Sequence, residues 1–317
     1  MKYAKIALVL TSIGLMIALL VNPTRYAQSV TDGLMMYVVS VLPSMLPFFF
    51  LSGLLTGTGV AGKLSRLRIT GPLFHAPDEG LYVMLMSFLS GYPVGAKLTA
   101  ELYEQGVIDR EGVRRTISFT SATGPMFVVG AVGAQILHDY RAGLCILAAH
   151  YLSTILNGLL YRGRKRKYGH CNSVANPVKM DKLLWETAYN TAISLLVSCV
   201  YIVVFNMIAD VLSDIGVVGV ASDVLTRLGV TAPVSAALLF GFSEMTRGCV
   251  LLSHTGLPVA VTAPLCCLLV TFGGVSVLVQ STAYLAKCHV NPLYFLLTKS
   301  TQAAMAFGLC TLFCLAL

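Results

Sequence analysis

The amino-acid sequence predicts an all-α polytopic membrane protein, built as two inverted repeats that each hold a re-entrant helical hairpin and a broken helix. Three observations predict this class: the composition, two short apolar stretches interrupted by glycine, and the distribution of basic residues. The 317 residues are 56% hydrophobic and only 11% charged, with a mean hydropathy of +0.78. Ordinary soluble domains carry about 25% charged residues. The composition therefore excludes an ordinary soluble protein and makes the lipid bilayer a partner of the chain.

The longest apolar stretches predict membrane-spanning helices. A helix that crosses the hydrocarbon core needs about 20 mainly apolar residues. Seven stretches meet this condition: residues 5–22, 34–60, 116–137, 142–160, 186–212, 258–286 and 293–316. We expect the first to be an uncleaved helix rather than a signal peptide, because no small-residue cleavage site follows Leu20. The run Asn22-Pro23-Thr24 is typical of a helix exit, so we expect a loop there.

The positions of the basic residues indicate the topology. The densest basic run, residues 162–167, directly follows a membrane segment, which is typical of a cytoplasmic loop. With this loop and the N-terminus inside, cytoplasmic loops hold 16 of the 22 Lys and Arg residues, external loops three and the membrane three. The loop with Asp210, Asp214 and Asp223 is then external. The net charge of +8 is explained by the basic residues of the predicted cytoplasmic loops, so we expect no nucleic-acid partner.

The first hairpin is predicted at residues 81–103. Basic loops flank this stretch on both sides, so a single crossing would put one of them outside. Gly91-Tyr92-Pro93 divides the stretch into arms of about ten residues, each about 15 Å long, which reach only the bilayer midplane. Non-helical backbone at that depth is tolerated where protein buries it or where it lines a watery cavity. We therefore expect a binding site at the tip.

The second hairpin is predicted at residues 232–254, entering from the opposite side. It is broken by Gly241-Phe242-Ser243-Glu244. The tip glycine of the first hairpin lies 33 residues before Gly124, and Gly241 lies 32 residues before Gly273. Both partner glycines interrupt a predicted spanning helix. Inverted repeats with interrupted segments at matching positions point to a substrate site near the midplane, at the repeat interface.

These features divide one membrane domain, residues 1–317, into four parts. We predict a first transmembrane helix at 1–30, repeat 1 at 34–160, a basic cytoplasmic loop at 161–184 and repeat 2 at 185–317.

Two intramembrane cations occupy matching positions in the hairpins. Lys97 follows Gly91 by six residues, and Arg247 follows Gly241 by six. A charge within the bilayer is costly and usually functional. Two interpretations remain open. In one, the two cations receive an anionic solute with two carboxylates.

In the other interpretation each cation is neutralised within its own hairpin, by Glu101 or by Glu244. A third basic residue, Lys299, stands near the inner end of the last helix. We expect it to extend towards the interface, and we leave it out of the site.

The predicted substrate site collects residues at the hairpin tips and helix breaks. They are Gly91, Tyr92, Lys97, Thr120, Ser121, Thr123, Gly124, Ser243, Glu244, Thr246, Arg247, Gly273, Gly274, Ser276 and Gln280. The sequence has no GxxxxGK[ST], HExxH or GxSxG motif, so we expect no enzyme, no catalytic residue and no cofactor. We expect no metal site, because the adjacent His170 and Cys171 are too few ligands.

Several runs of the sequence resemble a known family. They are Leu42–Phe49 (LPSMLPFF), Ser90–Lys97 (SGYPVGAK), Ser118–Thr120, Gly124–Pro125, Phe272–Gly274 and Glu244–Gly248 (EMTRG). Over nearly the whole chain the sequence resembles the YlbJ family of sporulation integral membrane proteins, also called SpoVV. The resemblance implies a nucleoside-recognition or Gate domain, with a fold related to concentrative nucleoside transporters. It also implies a role in moving dipicolinate from mother cell toward forespore, across the outer forespore membrane.

Residues and resemblance together predict a membrane transporter for a small organic anion. Dipicolinate is an aromatic dianion, which suits a site with two cations. Two other functions stay open: a carrier of nucleosides or other neutral solutes, and a sporulation membrane scaffold that transports nothing. An oligomer is compatible with the sequence.

Overall fold

The computed structural model describes residues 2–165, 168 and 180–316, and within them the chain is helical and contains no strand. Helices α1 to α16 are, in order, Lys2–Val21, Pro23–Met36, Leu42–Gly57, Val60–Ser65, Thr70–Phe74, Gly80–Ser90, Val94–Glu104, Arg110–Ile117, Tyr140–Leu160, Met180–Asp214, Val217–Arg227, Ala232–Ser243, Met245–Ser253, Val259–Phe272, Gly274–Leu285 and Pro292–Leu315. Tyr37–Val41 and Met126–Ile136 are π-helical, and Ala286–Cys288 forms a 3-10 turn. Much of the predicted basic loop, with His170 and Cys171, lies outside the described residues.

Four of the described helical stretches are long and apolar enough to cross a membrane. They are Pro23–Gly57, Tyr140–Leu160, Lys182–Asp214 and Val259–Cys288. Large apolar side chains on them are exposed, among them Leu196, Val200 and Leu51. In water such a surface would be an aggregation hazard, whereas lipid solvates it at no cost. The fold is therefore that of a polytopic integral membrane protein.

The expected loop after the first helix is wrong, because α2 begins there. Pro23 occupies the first turn of α2, and the Asn22 side chain accepts a hydrogen bond from the Arg25 N–H at 3.4 Å. Proline suits this position because the first N–H groups of a helix have no intrahelical partner. Helix α2 continues through the π-helical turn into α3, so the second spanning helix starts about ten residues earlier than the apolar pattern indicates.

Each predicted hairpin stretch forms two short helices that pack against each other. Helices α6 and α7 have 11 residues each and are separated by Gly91, Tyr92 and Pro93. Helices α12 and α13 have 12 and 9 residues. We refer to these pairs as the first and second hairpins.

The position of the second tip differs from the prediction, because the break falls at Glu244 and Gly241 lies inside α12. Glu244 has extended backbone, with φ −140° and ψ 115°, and caps α13 by accepting the Arg247 N–H at 2.8 Å. Gly241 instead lies directly against Gly248 of α13. The glycine serves close packing of the two arms rather than the turn.

The two predicted helix breaks are present. Residues 118–124 are not helical and separate α8 from the π-helical segment Met126–Ile136. In the second half, Gly273 takes a left-handed conformation (φ +87°) that ends α14, and α15 begins at once at Gly274. The predicted segments 116–137 and 258–286 are therefore interrupted helices.

Helices α9, α14 and α16 pack together at the centre of the molecule, and the hairpins lie around them. The first hairpin packs through α6 on α3 and through α7 on α15. The second packs through α12 on α10 and through α13 on α14. Helix α10 also lies along α2 and α3. This arrangement places both breaks next to the central helices, where polar groups are hidden from lipid.

Candidate functional site

The tip of the first hairpin lies directly against the first helix break. Gly91 has φ +89°, and a Cβ on it would lie 2.6 Å from the backbone nitrogen of Gly124. One turn earlier, the Ser87 hydroxyl donates to the Thr120 carbonyl at 2.5 Å. The offset of 33 residues between Gly91 and Gly124 therefore corresponds to a direct contact.

The second tip lies against the second break in the same way. Gly274 has φ +72°, and a Cβ there would lie 3.0 Å from the Ser243 carbonyl oxygen and 3.3 Å from the Glu244 Cα. Each half of the chain thus brings a hairpin tip onto its own broken helix, and glycine permits both approaches.

We predict that Gly91→Ala destabilises the protein by about 2–4 kcal/mol, because alanine adds strain at positive φ to a clash with backbone that cannot move aside. Thermal unfolding of the purified protein in detergent measures the change. Gly308→Ala is the matched control, since this glycine of α16 has φ in the ordinary range and open space around it. Equal melting temperatures for the two variants would contradict the tip-to-break contact.

A histidine missed in the sequence joins the two breaks. His150 of α9 is fully buried, and its Nε2 accepts the Thr123 N–H at 2.9 Å. Its Nδ1 lies 2.8 Å from the Thr271 hydroxyl. Since a backbone N–H can only donate, Nε2 is the unprotonated nitrogen and the Nδ1 hydrogen points to Thr271. A polar residue inside an apolar helix was the available signal.

Lys299 also belongs to this buried centre, and its expected extension to the interface is wrong. It is the eighth residue of α16, about 10 Å along the helix, and has no exposed surface. Its Nζ lies 2.7 Å from the Tyr92 hydroxyl and 3.3 Å from the Ser121 carbonyl. The cause is helix packing, because α16 turns this face towards α9 and α14. The spacing of Lys299 and Gln302 on one face of α16 was the missed signal.

Lys97 lies in a different place, on the wall of a cavity of about 170 Å³ between the first hairpin, α3 and α10. Phe49, Met86 and Leu98 form apolar parts of the wall. Hydroxyl and amide groups also line it: Ser52, Thr56, Thr187, Asn190, Thr191 and Ser194. Glu101 borders the cavity one turn after Lys97. Among the described residues no carboxylate lies within 4 Å of the Lys97 ammonium.

The predicted neutralisation of Arg247 by Glu244 is wrong, because the Arg247 side chain forms its ion pair with Asp210. Its guanidinium lies 2.6 Å from the Asp210 carboxylate and 3.0 Å from the Asn206 amide oxygen, and stacks on Phe240 at 4.0 Å. Asp210 is a buried residue of α10 that also accepts the Ser29 hydroxyl, so its placement in an external loop is wrong as well. The Glu244 carboxylate is occupied in capping α13.

The remaining predicted residues divide between the buried centre and α10. Ser243 donates to the Phe205 carbonyl at 3.1 Å, and Gln280 donates to Ser198 at 3.0 Å. Both are therefore structural contacts to α10. The Thr246 hydroxyl donates to Glu244 at 3.1 Å. Thr120 donates to the Thr116 carbonyl at 2.9 Å, which satisfies the end of α8.

Two predicted residues keep unused hydrogen-bonding capacity. The hydroxyls of Thr123 and Ser276 are buried and have no partner among the described residues. They lie at the first break and just after the second. Tyr92, Ser121 and Thr123 thus come together with the second break, whereas Arg247 is not among the described residues that line the cavity beside Lys97.

Comparison with known proteins gives one informative match. The chain is 29% identical over 312 residues to the "Sporulation integral membrane protein YlbJ" of Bacillus subtilis, and the match covers 90% of this chain and 76% of that protein. No protein-family model matches the sequence, and no solved structure matches it. The chain is therefore similar, over 90% of its length, to a sporulation integral membrane protein.

Proposed function

We propose that this protein is a membrane transporter for a small organic anion, and that the anion is dipicolinate, moved from mother cell toward forespore during sporulation. The observation that carries the proposal is the cavity beside the first hairpin. Lys97 faces it without a carboxylate in contact, among the described residues, in a protein whose outer surface is apolar. A cation kept in such a place is a functional group by default.

The cavity offers chemistry that suits an aromatic dicarboxylate. Lys97 is in the first turn of α7, where the helix dipole adds positive potential. Asn190, Thr187 and Thr191 supply neutral donors for a second carboxylate. The apolar wall is suited to an aromatic ring. One cation and several neutral donors therefore replace the two cations expected from the sequence.

The topology forms part of the proposal. We place the N-terminus and the loop 161–184 in the cytoplasm, treat the two hairpins as re-entrant segments of inverted repeats, and locate the protein in the outer forespore membrane. The tip-to-break contact that recurs in both halves supports the repeats.

In this orientation, we expect cysteines placed beside Arg164 and beside Asp214 to react with a membrane-impermeant reagent from opposite sides of the membrane. Reaction from one side would contradict it.

A second candidate is a carrier of nucleosides or other neutral solutes, which Glu101 favours because it stands in the same cavity as Lys97. Equilibrium binding of labelled dipicolinate to the purified protein distinguishes the two. We expect saturable binding that other pyridine dicarboxylates displace and nucleosides do not. No saturable binding of dipicolinate, together with binding of labelled nucleosides to the same protein, would support the neutral carrier and contradict the anion proposal.

A further inference from the structure

Lys299 is a buried cation without an opposite charge in contact. Among the described residues no carboxylate lies within 4 Å of its ammonium. Burial of an unpaired charge destabilises the folded protein, so a buried lysine of this kind usually has a functional role. The titratable groups around it are Tyr92 at the first tip, His150 and Tyr151 of α9, and Cys267 of α14. All of them are neutral groups in ordinary conditions.

The hydrogen bonds around Lys299 indicate its protonation state. The Tyr92 hydroxyl has one hydrogen, which it donates to the Thr271 carbonyl at 3.0 Å, so it accepts from Lys299 at 2.7 Å. The Ser121 carbonyl can only accept, at 3.3 Å. The third partner is the amide oxygen of Gln302, also at 3.3 Å.

The orientation of the Gln302 amide follows from its own partners. Its nitrogen donates to the Ser121 carbonyl at 3.1 Å and to the Thr154 hydroxyl at 2.7 Å. Because the carbonyl accepts only, the amide nitrogen must face it, which leaves the amide oxygen for Lys299.

Lys299 therefore faces three acceptors. An ammonium has three N–H groups, one for each, whereas a neutral amine has two and a lone pair. A neutral amine here would direct its lone pair at an acceptor oxygen. With the Tyr92 hydrogen on the Thr271 carbonyl, the arrangement gives each N–H group of a protonated lysine one acceptor.

Of the three acceptors, Tyr92 is the one from which an opening of the first hairpin must separate Lys299. Tyr92 is at the hairpin tip, Ser121 is in the first break, and Gln302 is on α16. On the other side of the tip, Ser90 bonds Ser52 on the wall of the Lys97 cavity at 2.5 Å. The tip thus stands between Lys299 and the cavity.

We propose that Lys299 is a proton-binding site that couples proton movement to the position of the first hairpin tip. The protonated lysine holds the tip on the break and on α16. When an N–H bond of the ammonium breaks, the proton passes to water, nitrogen keeps the electron pair, and one of the three ties is lost. This inference rests on the proposed function, since it makes the anion and a proton move together.

The coupling is tested with full-length protein in liposomes that enclose a pH indicator. Addition of dipicolinate outside is expected to change the internal pH with wild-type protein. Lys299→Met is expected to abolish that change while it retains exchange of labelled for unlabelled dipicolinate, which needs no net proton transfer. Lys182→Met, at an exposed lysine of α10, is the control and should behave as wild type. Wild-type dipicolinate flux without a pH change would overturn the proposal.

A second measurement does not depend on transport. This measurement is the rate of backbone amide hydrogen exchange in peptides that cover residues 88–97 and 118–124. After correction for the intrinsic effect of pH on exchange, we expect this rate to rise at alkaline pH in wild-type protein. Tyr92→Phe leaves Lys299 with two acceptors, and the two N–H groups of a neutral amine can bond both. The rise in exchange rate should therefore occur at lower pH in this variant. If wild-type protein carries no dipicolinate but shows this rise, the proposed function fails and the proton site stands. Protection that is identical at all pH values in both proteins would overturn the proton site.

Discussion

Replacement of Lys97 by glutamine is expected to lower dipicolinate flux by about 10- to 100-fold at limiting concentration. A hydrogen bond to a charged group contributes about 1.5–3 kcal/mol, and 1.4 kcal/mol is a factor of ten. Glutamine keeps a hydrogen-bond donor, on a side chain one atom shorter, but removes the charge, so the loss reports mainly the anion's attraction to the ammonium. Lys97→Arg keeps the charge and should retain part of the flux.

The flux is compared at equal amounts of monodisperse protein in the vesicles, so that misassembly is not counted as lost transport. Lys287→Gln is the control, because this lysine is exposed and pairs with Glu104 at 2.9 Å outside the cavity. Unchanged flux in Lys97→Gln would show that the cavity does not receive the anion. It would favour a neutral solute or a different route.

Replacement of Asp210 by asparagine is expected to destabilise the protein by about 2–4 kcal/mol, because it leaves the Arg247 guanidinium without its carboxylate. The estimate lies below the value for a fully buried pair, since the Arg247 side chain is 19% exposed and Asp210 9%. The thermal unfolding midpoint should fall by roughly 5–10 °C. The Ser29 hydroxyl, which donates to Asp210, ties α2 into the same cluster.

Asp214→Asn is the matched control for Asp210. Asp214 is on the same helix and pairs with Arg25 at 3.2 Å, but these side chains are 34% and 50% exposed. Exposed ion pairs contribute little to stability, so the thermal unfolding midpoint of Asp214→Asn should hardly change. Normal stability in Asp210→Asn together with lost flux would contradict the structural role. It would return Arg247 to the anion site.

The features that the sequence predicts well depend on local chemistry. Glycine and proline interrupt helices by their own conformational preferences. The first hairpin tip, with Gly91 and Pro93, and the second break, at Gly273 and Gly274, are therefore where the sequence predicts them. Pro23 shows the limit of such signals, because proline fits the first turn of a helix as well as the end of one. Gly241 shows another, since a glycine permits close packing as readily as a turn.

The features that the sequence predicts poorly depend on which way a helix faces. Lys299, His150 and Asp210 are polar residues in long helices, and their positions in the sequence do not identify their distant partners. Lys299 contacts Tyr92, 207 residues away, and His150 contacts Thr271, 121 residues away. Only the packing of α16, α9 and α10 decides that these side chains point inward.

In the proposed function, the protein carries a small organic anion through the cavity beside the first hairpin. The most direct test of this claim is the uptake of labelled dipicolinate into liposomes that contain the purified protein, compared with protein-free liposomes. We predict saturable, protein-dependent uptake that is lost in Lys97→Gln and retained in Asp214→Asn. Wild-type uptake equal to that of protein-free liposomes would contradict the claim and favour a sporulation membrane scaffold that transports nothing.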